Sequence, residues 1–419
     1  MMTQDFAELY ISGIDEEARG VARLGNRTVL VYCALPGEHV RARILGSKQG
    51  KLLARVVEVL ESSQYRRIPF CKHACRCGGC LLQHAQYSYQ LRLKRGLLAS
   101  WASKLKLEIE VPKIVPSPEK YFRGRAEPQC NSKVIGFAEH GKKELVDIEE
   151  CYLVSPKFSE VLQFLRKHLV PELQAVLYRE GKFTGSTVVA LLGIPGAGLL
   201  ELAERLKEQY PEFSVVAATS SRIPDKPAEL LRVHGSTHYE ERLDNVLYRV
   251  PFHCFFQGNV HVFRELLRRV KKELAGEHTV YDLYCGIGTI GLYIAEEVGR
   301  VKGIEVDKMA VQAANENARL NDVQNFSAYA AKVEDALPRL ELEKATAVLD
   351  PPRSGLPNTL LRFLLKRGPQ RLVYISCNPV RLFCELRTLS RVYNIEKLEL
   401  YDMFPHTARA EAVAYLERA

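Results

Sequence analysis

Between residues 279 and 390 short apolar runs alternate with amphipathic ones, and few folds accommodate that pattern. Runs at 279–283, 301–306, 326–330, 345–349 and 372–376 read as strands, and those near 290–297, 308–321, 358–366 and 380–390 read as helices. Strands and helices taking turns imply crossover connections, hence parallel strands in one sheet with helices on both faces. A helix over 259–274, with Leu266, Leu267 and Val270 on one face, leads into it. The expected fold class is α/β, with a doubly wound, Rossmann-like domain over 251–419. Such sheets bind ligands at the carboxyl ends of their strands.

Four features fall on that edge. The first strand runs into Asp282-Leu283-Tyr284-Cys285-Gly286-Ile287-Gly288-Thr289, whose two glycines allow close approach of backbone to ligand. The second ends at Glu305, 17 residues after Gly288, where an acid can hold two ribose hydroxyls. Gly291 formally completes a dinucleotide fingerprint, so NAD stays open as a rival ligand. The fourth strand ends in Asp350-Pro351-Pro352-Arg353, and the fifth in Ser376-Cys377-Asn378-Pro379. Asn378 suits a helix N-cap and Pro379 a first turn, so the Cys377 thiol is expected to feel the positive helix end and to favour thiolate. A lone cysteine is more often a small buried hydrophobe, and a lone Asp-Pro a helix cap. Their convergence on one edge points to a ligand site.

The rest of the chain adds a metal site and a polyanion. Apolar residues make up 47% of the sequence, and the longest candidate span, 188–200, is broken by Gly193, Pro195, Gly196 and Gly198, which excludes a membrane helix there. The first ten residues show no leader pattern, so a cytoplasmic location is expected, with the 11 cysteines serving metals or catalysis rather than disulfides. Cys71, Cys77 and Cys80, with Gly78-Gly79 between the last two, and Cys151 downstream suit zinc or a four-iron cluster equally. Cys75 is left over. Residues 1–62 hold β-rich runs at 27–32, 38–45 and 51–60 and read as a small barrel; a helix follows at 88–106, carrying Trp101, and 63–250 reads as a central α/β domain. Residues 63–130 carry 13 Lys and Arg against 4 Asp and Glu, and 19–55 carry 8 against 1. Basic charge so concentrated fits a nucleic acid.

Together these motifs resemble the RNA uracil-5-methyltransferases, and most of all the iron–sulfur type with an N-terminal TRAM barrel that methylates 23S ribosomal RNA. The resemblance spans nearly the whole chain: Gly37-Glu38 up to Arg55 for the barrel; Cys71, Cys77, Cys80 with Gln83-His84, and Cys151, for the cluster; Phe255-Phe256-Gln257 with Asn259; the glycine loop; Asp350 to Arg353; Ser376 to Pro379; and Phe404-Pro405-His406-Thr407 with Glu411. It implies S-adenosylmethionine held by Gln257, Tyr284, Gly286, Thr289, Glu305 and Asp350. It implies Cys377 as nucleophile, Glu411 as proton acceptor, and a [4Fe–4S] cluster on Cys71, Cys77, Cys80 and Cys151. It also implies a monomer acting on ribosomal rather than transfer RNA, because transfer RNA relatives usually lack the cysteine segment. The chain departs from the pattern at Ala408-Arg409-Ala410, where many relatives carry a second histidine, and at Lys332.

The residues suit the reaction. Uracil C5 is too weak a nucleophile to accept a methyl group until a thiolate adds to C6; a base must then remove the C5 proton so that the thiolate can leave. The base must also leave its stack to reach the pocket. Cytosine-5 RNA methyltransferases, which Cys377 alone does not exclude, usually carry a further cysteine in the Asp350 loop, and amine methyltransferases an aromatic residue where this chain has Arg353; both patterns count against those rivals. An NAD enzyme leaves Cys377 and the cysteine segment idle. A non-catalytic RNA-binding protein leaves Cys377, Glu305 and Glu411 unexplained. On its own Glu411 reads as an exposed acid in a helix-like stretch.

Overall fold

The structure, a computed structural model, describes residues 6–219 and 229–419. Its C-terminal sheet has eight strands in the order Phe326–Ala330, Arg300–Glu305, Thr279–Leu283, Thr346–Leu349, Arg371–Ser376, Glu411–Arg418, Tyr393–Tyr401, Ile114–Val115. The first five are parallel, as the alternation requires, and each expected strand is displaced by no more than one residue. Helix Val260–Leu274 is capped by Asn259, whose Oδ1 accepts from the Val262 amide, and helix Lys308–Leu320 by Asp307.

The far side of the sheet was not foreseen. Tyr393–Tyr401 and Glu411–Arg418 form an antiparallel pair beside Arg371–Ser376, so the sheet is mixed and Glu411 opens a strand, not a helix. Ala412 to Leu416 is apolar throughout and buried between two neighbouring strands, which favours the extended form over any one-faced helix. Ile114–Val115 completes the edge beside Tyr401. Helix Tyr87–Lys104 buries Leu98 and Ala102 in the same core as Leu382, Phe383 and Leu386.

Residues 6–61 form a six-stranded sheet around Leu9, Ile11, Val29, Val31, Val40 and Ala54. Phe6–Tyr10 pairs with His39–Lys48, and Gly13–Ile14, just downstream, pairs with Gly20–Leu24, so one stretch of chain serves both sheet edges. A third sheet of eight strands lies between, with helices Pro156–Lys167 and Ala197–Gln209 packed on it. Cys33 and Cys75 are joined as a disulfide, against the expectation that no cysteine would be so used. No helix among the described residues is long and apolar enough to cross a membrane.

Candidate active site and cysteine cluster

Strand register assembles the catalytic edge. Ser376 pairs with Ala412 on antiparallel strands, so Cys377 and Glu411, one step further, emerge side by side at about the 5 Å Cα spacing of such ladders. Asp350 leaves the adjacent strand, its amide donating to the Leu283 carbonyl at 3.4 Å. Glu411 is 2% exposed, and among the described residues neither carboxyl oxygen has a hydrogen-bond partner. Burial, then the neighbouring Asp350, raises its pKa well above the carboxylate range; burial pushes Asp350 itself up to about 7.

The expected thiolate is corrected here. Burial, then Glu411 and Asp350, pushes the Cys377 thiol up to about 11, while Arg353 pulls the other way. Three proton-binding groups at one point outweigh a helix end, whose field carries only about half a charge. The loop itself is firmly tied. The Asn378 side chain accepts from the Arg381 amide at 3.3 Å and donates to the Arg353 carbonyl at 3.1 Å, and the Ser376 hydroxyl accepts from the Asn378 amide. Asn378 therefore locks the Cys377 turn to the Asp350 loop, a role its cap position alone did not reveal.

The glycine loop has the shape its sequence demands. Tyr284, Gly286 and Gly288 all have positive φ, at 68°, 53° and 80°. Glu305 accepts from the Gly286 amide at 3.1 Å and from its own following amides, Val306 and Asp307. Thr289 opens the short helix Thr289–Ile294, and the Tyr284 hydroxyl is buried without a partner. Gly291 is explained by packing: its amide donates to Asp282 at 2.8 Å, and a Cβ there would meet the Phe326 ring at 2.7 Å. Gln257 stands apart, on the loop ahead of helix Val260–Leu274, with no side-chain hydrogen bond to the other edge residues among those described.

Cys71, Cys77, Cys80 and Cys151 gather from two segments and are all half-buried. Burial is the largest cause of their raised pKa values, and at Cys77, Cys80 and Cys151 neighbouring thiols add to it, whereas at Cys71 the added charge is Glu150; Cys77 reaches about 11. Arg123 lies within Coulombic reach of Cys80 and Cys151. Groups that expensive to ionise, facing one another, suit a positively charged centre. The segment then binds the loop that leads to Glu411: the Leu81 and Leu82 amides donate to the His406 carbonyl at 2.7 and 2.9 Å. His406 is fully buried, and its Nε2 contacts the Glu119 carbonyl at 2.7 Å, a loop-fixing role.

Part of the basic charge is spent inside the protein. Arg55 pairs with Glu139, Arg66 with Glu38, Arg67 with Glu119, and Lys94 with Asp402. Arg92 has no ion pair among the described residues and is stacked over Tyr65 at 4.3 Å in an open groove between the first sheet and helix Tyr87–Lys104.

The sheet order, the glycine loop and the acid at the second strand define a methyltransferase fold, with Cys377 on its edge. A sequence model of the family described as tRNA (Uracil-5-)-methyltransferase matches residues 199–419. The 23S rRNA (uracil(747)-C(5))-methyltransferase of Pyrococcus horikoshii is 35% identical over 97% of this chain and 98% of its own. The tRNA (uracil(54)-C(5))-methyltransferase of Pyrococcus furiosus is 31% identical over 93% and 95%. The crystal structure of the Pyrococcus abyssi tRNA (uracil-54, C5)-methyltransferase with S-adenosyl-L-homocysteine matches at a TM-score of 0.81 and 28% identity, covering 98% of this chain and 99% of that one. The chain belongs to this family and is an S-adenosylmethionine-dependent RNA uracil-C5-methyltransferase.

Proposed function

We propose that this enzyme methylates C5 of a uridine in 23S ribosomal RNA, with Cys377 as nucleophile and Glu411 as proton acceptor. The observation that carries the reading is a partnerless buried carboxyl beside a cysteine at the end of the central strands. Cys377 Sγ bonds to C6, the resulting enolate carbon C5 takes the methyl group, Glu411 removes the C5 proton, and the C6–S bond breaks. Tyr284, Gly286, Thr289, Glu305 and Asp350, together with Gln257 on its separate loop, would hold S-adenosylmethionine, which would supply the methyl group. A sulfonium there brings positive charge to a site of raised pKa values, and so lowers the cost of ionising both Cys377 and Glu411.

In this reading Cys71, Cys77, Cys80 and Cys151 hold a [4Fe–4S] cluster. No three of these thiols lie within 4.8 Å of one another. A single tetrahedral zinc, with Zn–S near 2.3 Å, would draw sulfurs to about 3.8 Å. The wider spacing favours the larger centre. Its part is structural, because methyl transfer contains no redox step. The domains are 1–62, a TRAM-like barrel, 63–250 and 251–419; the first sheet and the Arg92 groove contact RNA, while the catalytic edge takes one flipped base.

Transfer RNA is the second reading. The Pyrococcus transfer RNA enzymes match 93% and 98% of this chain, too much to omit residues 71–151, so the cysteine segment does not separate the two substrates. The higher identity to the ribosomal RNA enzyme favours the first. Mapping 5-methyluridine in both RNAs from cells with and without the protein tests the target: loss confined to 23S RNA is expected, and loss confined to transfer RNA overturns it. For the mechanism, Glu411→Gln should accumulate a denaturation-resistant protein–RNA adduct and Cys377→Ala none. An adduct with 5-fluorouridine RNA in Cys377→Ala refutes the assigned nucleophile.

A further inference from the structure

Cys33, Cys75 and His84 belong to neither the catalytic edge nor the four-cysteine set. Cys33 follows strand Arg27–Tyr32 of the first sheet, Cys75 lies in the turn between Cys71 and Cys77, and His84 precedes helix Tyr87–Lys104. One ligand atom from each lies within 4.8 Å of the other two. The two cysteines come from unrelated loops, both with positive φ, 68° and 71°, and their sulfurs meet. His84 is 1% exposed, and among the described residues neither ring nitrogen has a hydrogen-bond partner of good geometry, the Ala34 carbonyl being the acceptor in reach. A buried neutral imidazole that donates from one nitrogen at most keeps the lone pair of the other for a metal. The small cavity bounded by Cys33, Cys75, Tyr32 and Leu81 is also lined by His140, whose Nε2 is likewise partnerless.

We propose that Cys33, Cys75 and His84 form a second metal site, taking one zinc ion when the cysteines are reduced and closing when they are joined as the disulfide. Two thiolates and one imidazole suit zinc, with His140 or water in the fourth position. The charge balances. Two thiolates neutralise the dication, and the nearby Arg66 is already neutralised by Glu38, which it grips at 2.5 and 2.7 Å. Opening requires a two-electron reductant: a phosphine takes oxygen from water and becomes its oxide, the water's two hydrogens convert the Cys33–Cys75 bond into two thiols, and zinc then displaces two protons to solvent. In either state the first sheet stays fastened to the cysteine segment.

The test uses the full chain, reconstituted anaerobically with iron and reduced with a phosphine. Wild type should hold one more zinc per chain than Cys33→Ser and than His84→Gln, with iron unchanged among the three. Zinc should shield Cys33 and Cys75 from alkylation in mass spectra of the folded protein, and diamide should release it, leaving two fewer thiols to alkylate after denaturation in chelator. Equal zinc in wild type and His84→Gln, or unshielded Cys33 and Cys75, overturns the proposal. The His84→Gln and alkylation arms stand even if Cys33→Ser does not fold. The readout is a difference in zinc, so it is independent of what the other four cysteines hold.

Discussion

Replacing Lys94 by Met should undock the N-terminal helix from the methyltransferase sheet. The Lys94 ammonium is completely buried, donating to Asp402 Oδ1 at 2.5 Å and to the Phe404 carbonyl at 3.0 Å. Without it, Asp402 keeps only the Tyr87 hydroxyl among its side-chain donors. Removing one partner of a buried pair costs about 3–5 kcal/mol, chiefly because the other charge is stranded. At an m-value of roughly 2.5–3 kcal/mol per molar urea, that moves the unfolding midpoint by about 1–2 M. The single tryptophan, Trp101, lies on the same helix and bonds Glu16, so its fluorescence reports the event directly. If a stranded charge is the cause, Lys94→Met with Asp402→Leu should recover most of the loss. An unchanged Trp101 midpoint in the single variant, or a double variant worse than the single, would refute the argument.

Iodoacetamide should label Cys377 slowly at pH 8, where a thiol titrating near 11 is about 0.1% ionised, and labelling should rise with pH. S-adenosylmethionine should speed it and neutral S-adenosylhomocysteine should not; equal effects in peptide mass spectra would remove the charge argument. Affinity for the sulfonium relative to the thioether should grow from pH 6 to 8 as Asp350 ionises, and Asp350→Asn should flatten that slope in calorimetry. Gly291→Ala should lose about 1–3 kcal/mol through overpacking against Phe326, read by thermal unfolding.

The parallel half of the sheet was legible because its helices bury one face each and so keep a strong period, as in Val260–Leu274 with Leu266, Leu267 and Val270. The antiparallel half was not. Ala412 to Leu416 is buried on both faces and shows no period, and Ile114–Val115 is too short to carry one. The edge residues Asp350, Glu305 and Cys377 were placed by strand ends alone. The state of Cys377 was misread, because the helix start is written in the adjacent Asn378-Pro379, whereas Glu411 arrives from 34 residues downstream. The Cys33–Cys75 pair, 42 residues apart, has no local signature either.

Glu411 is positioned largely from outside its own domain, and this bears on the cysteine cluster. The loop leading to it turns at His406 with φ of 65°, a conformation costly for a non-glycine residue unless its surroundings fix it. The Leu81 and Leu82 amides hold its carbonyl, Gln90 bonds its amide, Glu119 accepts at its ring, and Lys94 holds the Phe404 carbonyl. Leu81 directly follows Cys80. Stripping the proposed cluster should therefore loosen the seat of Glu411, the proposed proton acceptor, while leaving the Gly286–Glu305 edge, whose hydrogen bonds come from its own strands, intact. A displacement of about 1 Å costs on the order of 100-fold in rate. Chelation under air should thus depress methylation by about that factor, with S-adenosylhomocysteine binding unchanged in calorimetry. Loss of that binding along with the iron, or full activity without it, would show that the cluster does not act through this loop.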